Sequence, residues 1–180
     1  MGAYVALLRG VNVGKGNRVP MAEWRTLLEG LGYADVATLL NSGNAVFTAP
    51  RAVPATLAAR IHDTLAAALA VDVAVVVKSA TEFDAIVGEN PFTEPSVDPS
   101  RMLVAFVQEA RSLAPLGAVG ERLVPPERFH RGTRAAYLHC VNGIHESRAA
   151  KALLGQLGRE ATTRNWATTL KLQELLRART

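Results

Sequence analysis

A glycine-containing, basic segment near the N-terminus has the residue types of a phosphate-binding loop. Residues 9–21, RGVNVGKGNRVPM, lie between a strand-like and a helix-like segment. A nucleotide P-loop needs G-x-x-x-x-G-K-[ST], but Gly10 is one residue too close to Gly14, and Gly16 follows Lys15 where a hydroxyl residue should stand. The dinucleotide fingerprint G-x-G-x-x-G fails because its third glycine is missing. Neither nucleotide motif is present.

The same loop retains a weaker case for binding an anion. Gly14 and Gly16 can adopt left-handed backbone angles that let successive amides converge on an anion. Lys15 and Arg18 would supply positive charge nearby. The alternative is a flexible strand-to-helix connection whose glycines only make the turn. The sequence leaves both interpretations open.

The segment TTRNW near the C-terminus is the second candidate. We expect Thr162 or Thr163 to cap the final helix, with Arg164, Asn165 and Trp166 in its first turn. A helix N-terminus favours an anion, and an arginine beside a tryptophan suits stacking on a base or sugar ring. The alternative is a capped helix that docks through its tryptophan while the arginine is solvated.

The remaining polar clusters offer less chemistry. NSGN, at 41–44, has the composition of a tight turn, and we expect the acidic run 82–98 to be a solvated face. The four histidines lack metal-ligand spacing, so we expect no metal site and no cofactor. His139 and Cys140 are neighbours in a strand and would point to opposite faces, which excludes a nucleophile–base pair. We expect Cys140 to be a buried structural thiol.

The order of predicted elements indicates an α+β fold with two ferredoxin-like (βαββαβ) halves, antiparallel sheets and an appended C-terminal helix. The first half is predicted to contain, in order, a strand at 4–9, a helix at 21–31, strands at 36–40 and 45–49, a helix from Pro54 and a strand at 73–77. A short helix follows Ser79, whose spacing to Glu82 is that of a capping box.

The second half is predicted to repeat this order. Its elements are a strand at 102–107, a short helix at 113–119, a hairpin of 128–131 and 135–141, a helix at 147–157, a brief strand near Ala161 and a final helix at 166–177. We therefore predict an N-terminal half with a trailing short helix at 1–87, a linker at 88–100, and a C-terminal half with the terminal helix at 101–180.

The bulk composition sets limits on partners and location. The chain has 180 residues, a net charge of +4 and one cysteine. This mildly basic balance permits polyanionic partners without requiring them, and a single cysteine excludes an intramolecular disulfide. No signal peptide is recognised and no apolar run approaches the ~20 residues of a membrane span. We expect a cytoplasmic protein with no membrane association, in which homo-oligomers are possible.

Four segments together resemble a known family. They are YVALLRGVNVGKGNRVPM at 4–21, LNSGNAVF at 40–47, NPF at 90–92 and ATTRNWATTLKL at 161–172. In this order they are similar to a bacterial family catalogued as domain of unknown function 1697. The resemblance implies an α+β fold of ferredoxin-like units and implies no reaction.

The resemblance also marks a set of motif residues, with one departure. Family members usually have two glycines and then a basic or polar residue after NV, whereas this chain has Gly14-Lys15-Gly16. The motif residues carried over, without roles, are Arg9, Asn12, Gly14, Ser42, Gly43, Asn44, Asn90, Pro91, Phe92, Thr162, Thr163, Arg164, Asn165 and Trp166.

Three functional hypotheses follow. The leading one is binding of an anionic ligand, either a nucleotide-like small molecule or RNA, in a cleft between the halves. Its ligand-binding residues would be Arg9, Asn12, Gly14, Lys15, Asn44, Arg164, Asn165 and Trp166. The second is an enzyme acting on a phosphate- or carboxylate-bearing small molecule, although no general base is recognised. The third is a non-catalytic protein-interaction module that associates through a sheet edge or the NPF loop.

Overall fold

A computed structural model describes residues 1–180, which form two compact units. The N-terminal unit comprises Met1–Phe83 and Leu172–Thr180, and the C-terminal unit comprises Asp84–Lys171. Each unit contains a four-stranded antiparallel sheet paired with helices. The predicted α+β class with two ferredoxin-like halves is therefore confirmed.

The N-terminal unit contains the first βαββαβ pattern. Its elements are β1 (Gly2–Leu8), α1 (Met21–Gly30), β2 (Ala34–Leu39), β3 (Asn44–Ala49), α2 (Pro54–Leu69), β4 (Val75–Ser79) and the beginning of α3 (Ala80–Glu89). The strand order is β2-β3-β1-β4, so β1 lies in the interior of the sheet with an antiparallel partner on each side. The loop that follows β1 therefore emerges between its neighbouring strands, at one end of the sheet.

Alternation along β1 explains how the helices cover this sheet. Tyr4, Ala6 and Leu8 belong to one buried cluster with Trp24 of α1 and Ile61 of α2. Successive strand side chains point to opposite faces, so this set defines the helix-covered face. Removing such side chains from water contributes about 25 cal/mol per Å² of apolar surface, which makes this cluster the main stabilising feature of the unit.

The C-terminal unit repeats the βαββαβ pattern, except that a 3₁₀ helix stands where the N-terminal unit has its first α-helix. Its elements are a short 3₁₀ helix (Pro99–Arg101), β5 (Met102–Val107), a longer 3₁₀ helix (Ala110–Arg122), β6 (Arg128–Arg131), β7 (Ala135–His139), α4 (Arg148–Leu154), β8 (Ala161–Asn165) and α5 (Trp166–Arg177), whose last residues belong to the N-terminal unit. The strand order is β6-β7-β5-β8.

The short helix predicted at 113–119 is a longer segment of tighter 3₁₀ structure. It spans Ala110–Arg122 and contains Pro115. Because proline has no N–H to donate, it interrupts the regular α-helical hydrogen-bond ladder. The apolar side chains Leu113, Leu116 and Val119 are nevertheless buried, since a 3.0-residue repeat also places them on one face.

The predicted cap of the final helix is wrong. Thr162, Thr163, Arg164 and Asn165 all belong to β8, which pairs with β5, and α5 begins only at Trp166. Asn165 provides the cap instead, because its Oδ1 accepts a hydrogen bond from the Thr168 N–H at 2.9 Å. Backbone hydrogen bonds between β8 and β5 outweigh the local preference of the two threonines for a helix N-terminus.

The acidic run predicted to be a solvated face makes specific contacts. Glu82 completes the predicted capping box with Ser79. One carboxylate oxygen of Glu89 accepts from the Thr133 N–H at 2.7 Å in the β6–β7 hairpin. Glu94 forms a two-pronged ion pair with Arg128 at 2.6 and 3.2 Å. Glu89 and Glu94 therefore fasten the end of α3 and the segment after it to the C-terminal sheet.

Candidate functional site

Two of the motif segments meet at one end of the N-terminal sheet. We call residues 9–20 the motif loop and residues 40–43 the hairpin turn. The Asn12 side-chain amide in the motif loop donates to the Asn41 carbonyl oxygen in the hairpin turn at 2.7 Å. The motif loop follows β1 and the hairpin turn connects β2 to β3, so both emerge from the same end of the sheet.

Close packing fixes the hairpin turn against β1. The Leu8 N–H donates to the Gly43 carbonyl oxygen at 3.0 Å. Gly43 has φ +82°, and a Cβ at this position would lie 2.6 Å from the Leu8 Cβ and 2.9 Å from the Val11 Cγ2. No side chain fits there, so glycine is required both by the backbone conformation and by the space.

Asn44 closes the hairpin turn from its C-terminal side. Its side chain is completely buried, and Nδ2 donates to the Leu39 carbonyl oxygen and to the Ser42 Oγ, both at 2.9 Å. Buried amides need such partners, because an unsatisfied one costs about 1–3 kcal/mol. These bonds hold the turn in shape, which is the arrangement expected of NSGN as a tight turn.

Asn12 holds the motif loop in shape. Its Oδ1 accepts from the Val19 N–H at 2.9 Å, and Nδ2 donates to the carbonyl oxygens of Val19 at 2.8 Å and Asn41 at 2.7 Å. Both amide protons are therefore engaged by the protein itself. Asn12 also has φ +57°, a conformation that asparagine tolerates better than most residues.

The glycines of the motif loop differ from the expected pair. Gly14 adopts the left-handed conformation with φ +61°, but Gly16 does not, and Asn17 does so instead with φ +47°. The two left-handed glycines proposed for an anion nest are therefore not both present. The loop is closed by a hydrogen bond from the Asn12 N–H to the Asn17 carbonyl oxygen at 3.0 Å.

Three basic side chains belong to the motif loop. Arg9 is half-buried, and this burial lowers the pKa of its guanidinium. Lys15 and Arg18 are exposed, and neither lies within ion-pair distance of a carboxylate. Arg18 donates only to the Gly14 carbonyl oxygen at 3.2 Å. Lys15 and Arg18 therefore carry positive charge that no carboxylate of the protein pairs with at this end of the sheet.

A polar cavity of about 280 Å³ lies beside these groups. Its lining residues are Asn12, Arg18, Val19, Pro20, Met21 and Asn41. The last four residues of the motif loop lead directly into α1, whose first residue is Met21 and whose N-cap, Pro20, makes no side-chain capping hydrogen bond. The first amides of a helix have no acceptor within the helix, so the cavity combines a guanidinium with an uncapped helix N-terminus.

The predicted site residues are divided between the two units. Arg9, Asn12, Gly14, Lys15 and Asn44 belong to the N-terminal unit, and the other three belong to the C-terminal unit. Of the six cavity-lining residues, only Asn12 was in the predicted set, and the polar residues missing from that set are Arg18 and Asn41. Arg18 had a usable signal, since a basic residue two positions before an N-terminal proline of a helix lies near the positive end of its dipole.

The C-terminal candidates form a buried strand-to-helix junction. Nη1 of Arg164 donates to the Thr162 Oγ1 at 2.7 Å and to the Thr163 carbonyl oxygen at 2.8 Å. Burial lowers the pKa of Arg164 to about 10. Trp166 is only 9% exposed, so its ring packs in the protein and does not present a free stacking face. The solvated arginine considered for this segment is not observed.

The remaining reactive side chains have structural surroundings. Burial raises the pKa of the Cys140 thiol to about 11, which keeps it protonated and unreactive at neutral pH. The pKa of His139 is lowered by burial and by the neighbouring Arg128 guanidinium. No group of three or more His, Cys, Asp or Glu side chains is placed to hold a metal ion. None of the helices combines the length and apolarity needed to cross a membrane.

Comparisons with known proteins agree with this architecture. Residues 1–137 match the model of a family described as Protein of unknown function (DUF1697). A solved structure of a conserved bacterial protein from Streptococcus pneumoniae is similar, with a TM-score of 0.81 and 27% sequence identity over 97% of this chain and 98% of that one. A comparison with curated proteins finds no significant match.

Proposed function

Because the chain belongs to the DUF1697 family of proteins of unknown function, we propose from its geometry that it binds a small oxyanion at the loop end of the N-terminal sheet. The observation that carries this proposal is the 280 Å³ cavity beside Arg18 and the uncapped start of α1. The ligand group we assign to it is a phosphate or carboxylate.

Electrostatics support an anion in this cavity. The N-terminus of a helix carries roughly half a positive charge, which stabilises an adjacent anion by about 0.3–1 kcal/mol. A hydrogen bond from a guanidinium to an oxyanion contributes about 1.5–3 kcal/mol. Arg18 lies beside this helix start with no carboxylate in ion-pair distance. The two contributions together amount to about 2–4 kcal/mol, which corresponds to a Kd between tens of millimolar and about 1 mM for a bare ion.

The size of the cavity limits what it encloses. Pockets for whole organic ligands have volumes of about 300–1,000 Å³, and 280 Å³ is just below that range. The cavity therefore takes the charged group of a ligand, while the remainder of the ligand extends over the motif loop toward Lys15. A nucleotide-like molecule and an RNA phosphate both have this form.

The chemistry of the lining favours binding without catalysis. The lining residues and the motif loop include no His, Cys, Asp or Glu. General acid–base catalysis most often uses one of these side chains. We therefore restrict the proposal to recognition of an anion.

A thermal-shift panel tests this proposal. Inorganic phosphate, AMP, a dicarboxylate and a short RNA are added to the wild type, Arg18→Gln and the matched exposed control Arg111→Gln, at low and high salt. A ligand at about 100 times its Kd adds roughly 2.7 kcal/mol of stability. We expect a shift that Arg18→Gln reduces and Arg111→Gln does not.

The same panel separates the two ligand sources. Binding through several RNA phosphates weakens steeply with salt, whereas a single bound anion depends on salt much less. No shift with any of the four probes, or an equal shift in Arg18→Gln, would overturn the proposal.

A further inference from the structure

We propose that a second cavity, at the opposite end of the N-terminal sheet, binds an organic phosphate monoester. This cavity has a volume of about 660 Å³ and includes Arg51 and Arg179 in its lining. It shares no residue with the cavity beside the motif loop, so this inference does not depend on the proposed function.

The topology of the sheet separates the two cavities. The second cavity is lined by the start of β1, at Gly2–Tyr4, and by the end of β4, at Ser79. The motif loop follows the other end of β1, at Leu8. A strand rises about 3.3 Å per residue, so the two ends of β1 are roughly 20 Å apart. A variant at one cavity therefore leaves the other intact.

Arg179 is held in place by neutral groups. Its Nε donates to the Asp35 carbonyl oxygen at 2.8 Å, and its Nη1 donates to the Leu175 carbonyl oxygen at 2.7 Å. Carbonyl oxygens orient the guanidinium but do not neutralise its charge. A guanidinium has five N–H donors, so three remain for a ligand on a side chain whose position is already fixed.

Arg51 brings a second guanidinium to the same cavity. It is exposed and makes neither a hydrogen bond nor an ion pair. No Asp or Glu side chain lines the cavity. The nearby Glu82 carboxylate is occupied by the Ser79 N–H at 2.8 Å and the Ser79 hydroxyl at 3.1 Å. The lining therefore contains two guanidinium groups and no acidic side chain.

The rest of the lining consists of a fixed backbone segment and small side chains. The Tyr4 hydroxyl donates to the Ala52 carbonyl oxygen at 3.1 Å and accepts from the Ala52 N–H at 3.0 Å. This pair of hydrogen bonds fixes the segment after β3 against β1. Ala3 and Ala80 add apolar surface, and the Thr81 hydroxyl adds a polar group.

These features together specify the ligand class. A guanidinium fork matches the oxygens of a phosphate group, and two of them suit a dianion. A volume of 660 Å³ lies within the range of pockets for whole organic molecules. The lining alanines provide apolar surface for the organic part. A phosphate monoester on a small organic molecule satisfies all three features.

Calorimetry and amide NMR test this site directly. The probes are glucose 6-phosphate, glycerol 3-phosphate and AMP, with inorganic phosphate and succinate as comparison ligands. The variants are Arg51→Gln and the matched exposed control Arg111→Gln. Because the Arg51 side chain is exposed and makes no hydrogen bond or ion pair, we expect its replacement to leave the fold intact. We expect at least one phosphate ester to bind, with amide shifts at Ala52, Ala80 and Thr81.

The outcomes decide the inference. Binding that is about tenfold weaker in Arg51→Gln, unchanged in Arg111→Gln and tighter for an ester than for inorganic phosphate supports it. The site is overturned if no ester shifts these amides, or if Arg51→Gln binds as the wild type does. Succinate binding as tightly as the best ester, or inorganic phosphate doing so, would overturn the assignment to a phosphate monoester.

Discussion

The side-chain amide of Asn12 donates to the carbonyl oxygen of Asn41 at 2.7 Å and thereby joins two segments that lie 29 residues apart in the chain. The same side chain also donates a hydrogen bond to the Val19 carbonyl oxygen and accepts one from the Val19 N–H. A single residue therefore fixes the position of the motif loop, of the hairpin turn and of the residue that precedes the N-cap of α1. The cavity beside Arg18 depends on this arrangement.

Asn12→Ala should strongly destabilise the N-terminal unit. It removes three hydrogen bonds, leaves the buried Val19 N–H without an acceptor, and places alanine at φ +57°. We expect a loss of about 3 kcal/mol, and a smaller loss of roughly 2 kcal/mol for Asn12→Gly, which lacks the backbone strain.

Urea unfolding followed by Trp24 fluorescence measures both values. A Trp166→Phe background leaves Trp24, in the N-terminal unit, as the reporter. Losses under 0.5 kcal/mol for both variants would show that the side chain does not hold the loop.

Two glycine substitutions separate crowding from backbone strain. Gly43→Ala meets the Leu8 Cβ at 2.6 Å at a residue with φ +82°, whereas Gly14→Ala meets no atom within 4 Å at φ +61°. We expect a loss of about 3 kcal/mol or more for Gly43→Ala and about 1 kcal/mol for Gly14→Ala. The same fluorescence assay applies, and equal losses would contradict the close packing of the hairpin turn.

The cap of α5 can be assigned by substitution. Asn165→Ala removes the acceptor of the Thr168 N–H and should cost about 1 kcal/mol, while Asn165→Asp should keep most of the stability. Thr163→Val, within β8, should change the stability by less than about 0.5 kcal/mol, because valine suits a strand. Thermal unfolding measures all three. A larger loss for Thr163→Val than for Asn165→Ala would assign the cap to the threonine.

The ion pair between Glu94 and Arg128 should make stability depend on pH. The Arg128 hydrogen bond lowers the pKa of Glu94 from 4.5 to about 2. A lowered folded-state pKa stabilises the fold above pH 4.5, and this contribution is lost as the pH falls toward 2. Glu94→Gln should therefore flatten the acid limb of the stability profile between those values.

Carboxyl NMR tests the cause of that shift. Glu94 should titrate near pH 2 in the wild type and in Arg111→Gln, and near its ordinary value in Arg128→Gln. Titration of Glu94 near pH 4.5 in the wild type would show that the ion pair does not persist in solution.

Local patterns were sufficient to predict most of the fold. The alternation of Tyr4, Ala6 and Leu8 predicted β1, and the spacing of Ser79 and Glu82 predicted the start of α3. These signals lie within a few residues of one another, so a sequence displays them directly. β8 was underestimated because its partner is β5, which is about 60 residues earlier in the chain, and TTRN locally resembles a helix cap.

The site was less predictable because its geometry depends on distant contacts. The composition of the motif loop pointed to an anion, but Asn12 acts on Val19 and Asn41, which no local pattern indicates. The contact of Arg179 with the Asp35 carbonyl spans 144 residues. Such contacts determine which polar groups remain available for a ligand. They form only in the folded chain, so a local sequence pattern does not display them.

An amide NMR titration with inorganic phosphate at low ionic strength tests the central claim most directly. Saturable shifts at the amides of Val19, Met21 and Ala22 are expected, with affinity about tenfold lower in Arg18→Gln and unchanged in Arg111→Gln. This result would establish anion binding beside the motif loop. Amides at 19–22 that do not shift, or that shift equally in Arg18→Gln, would contradict it.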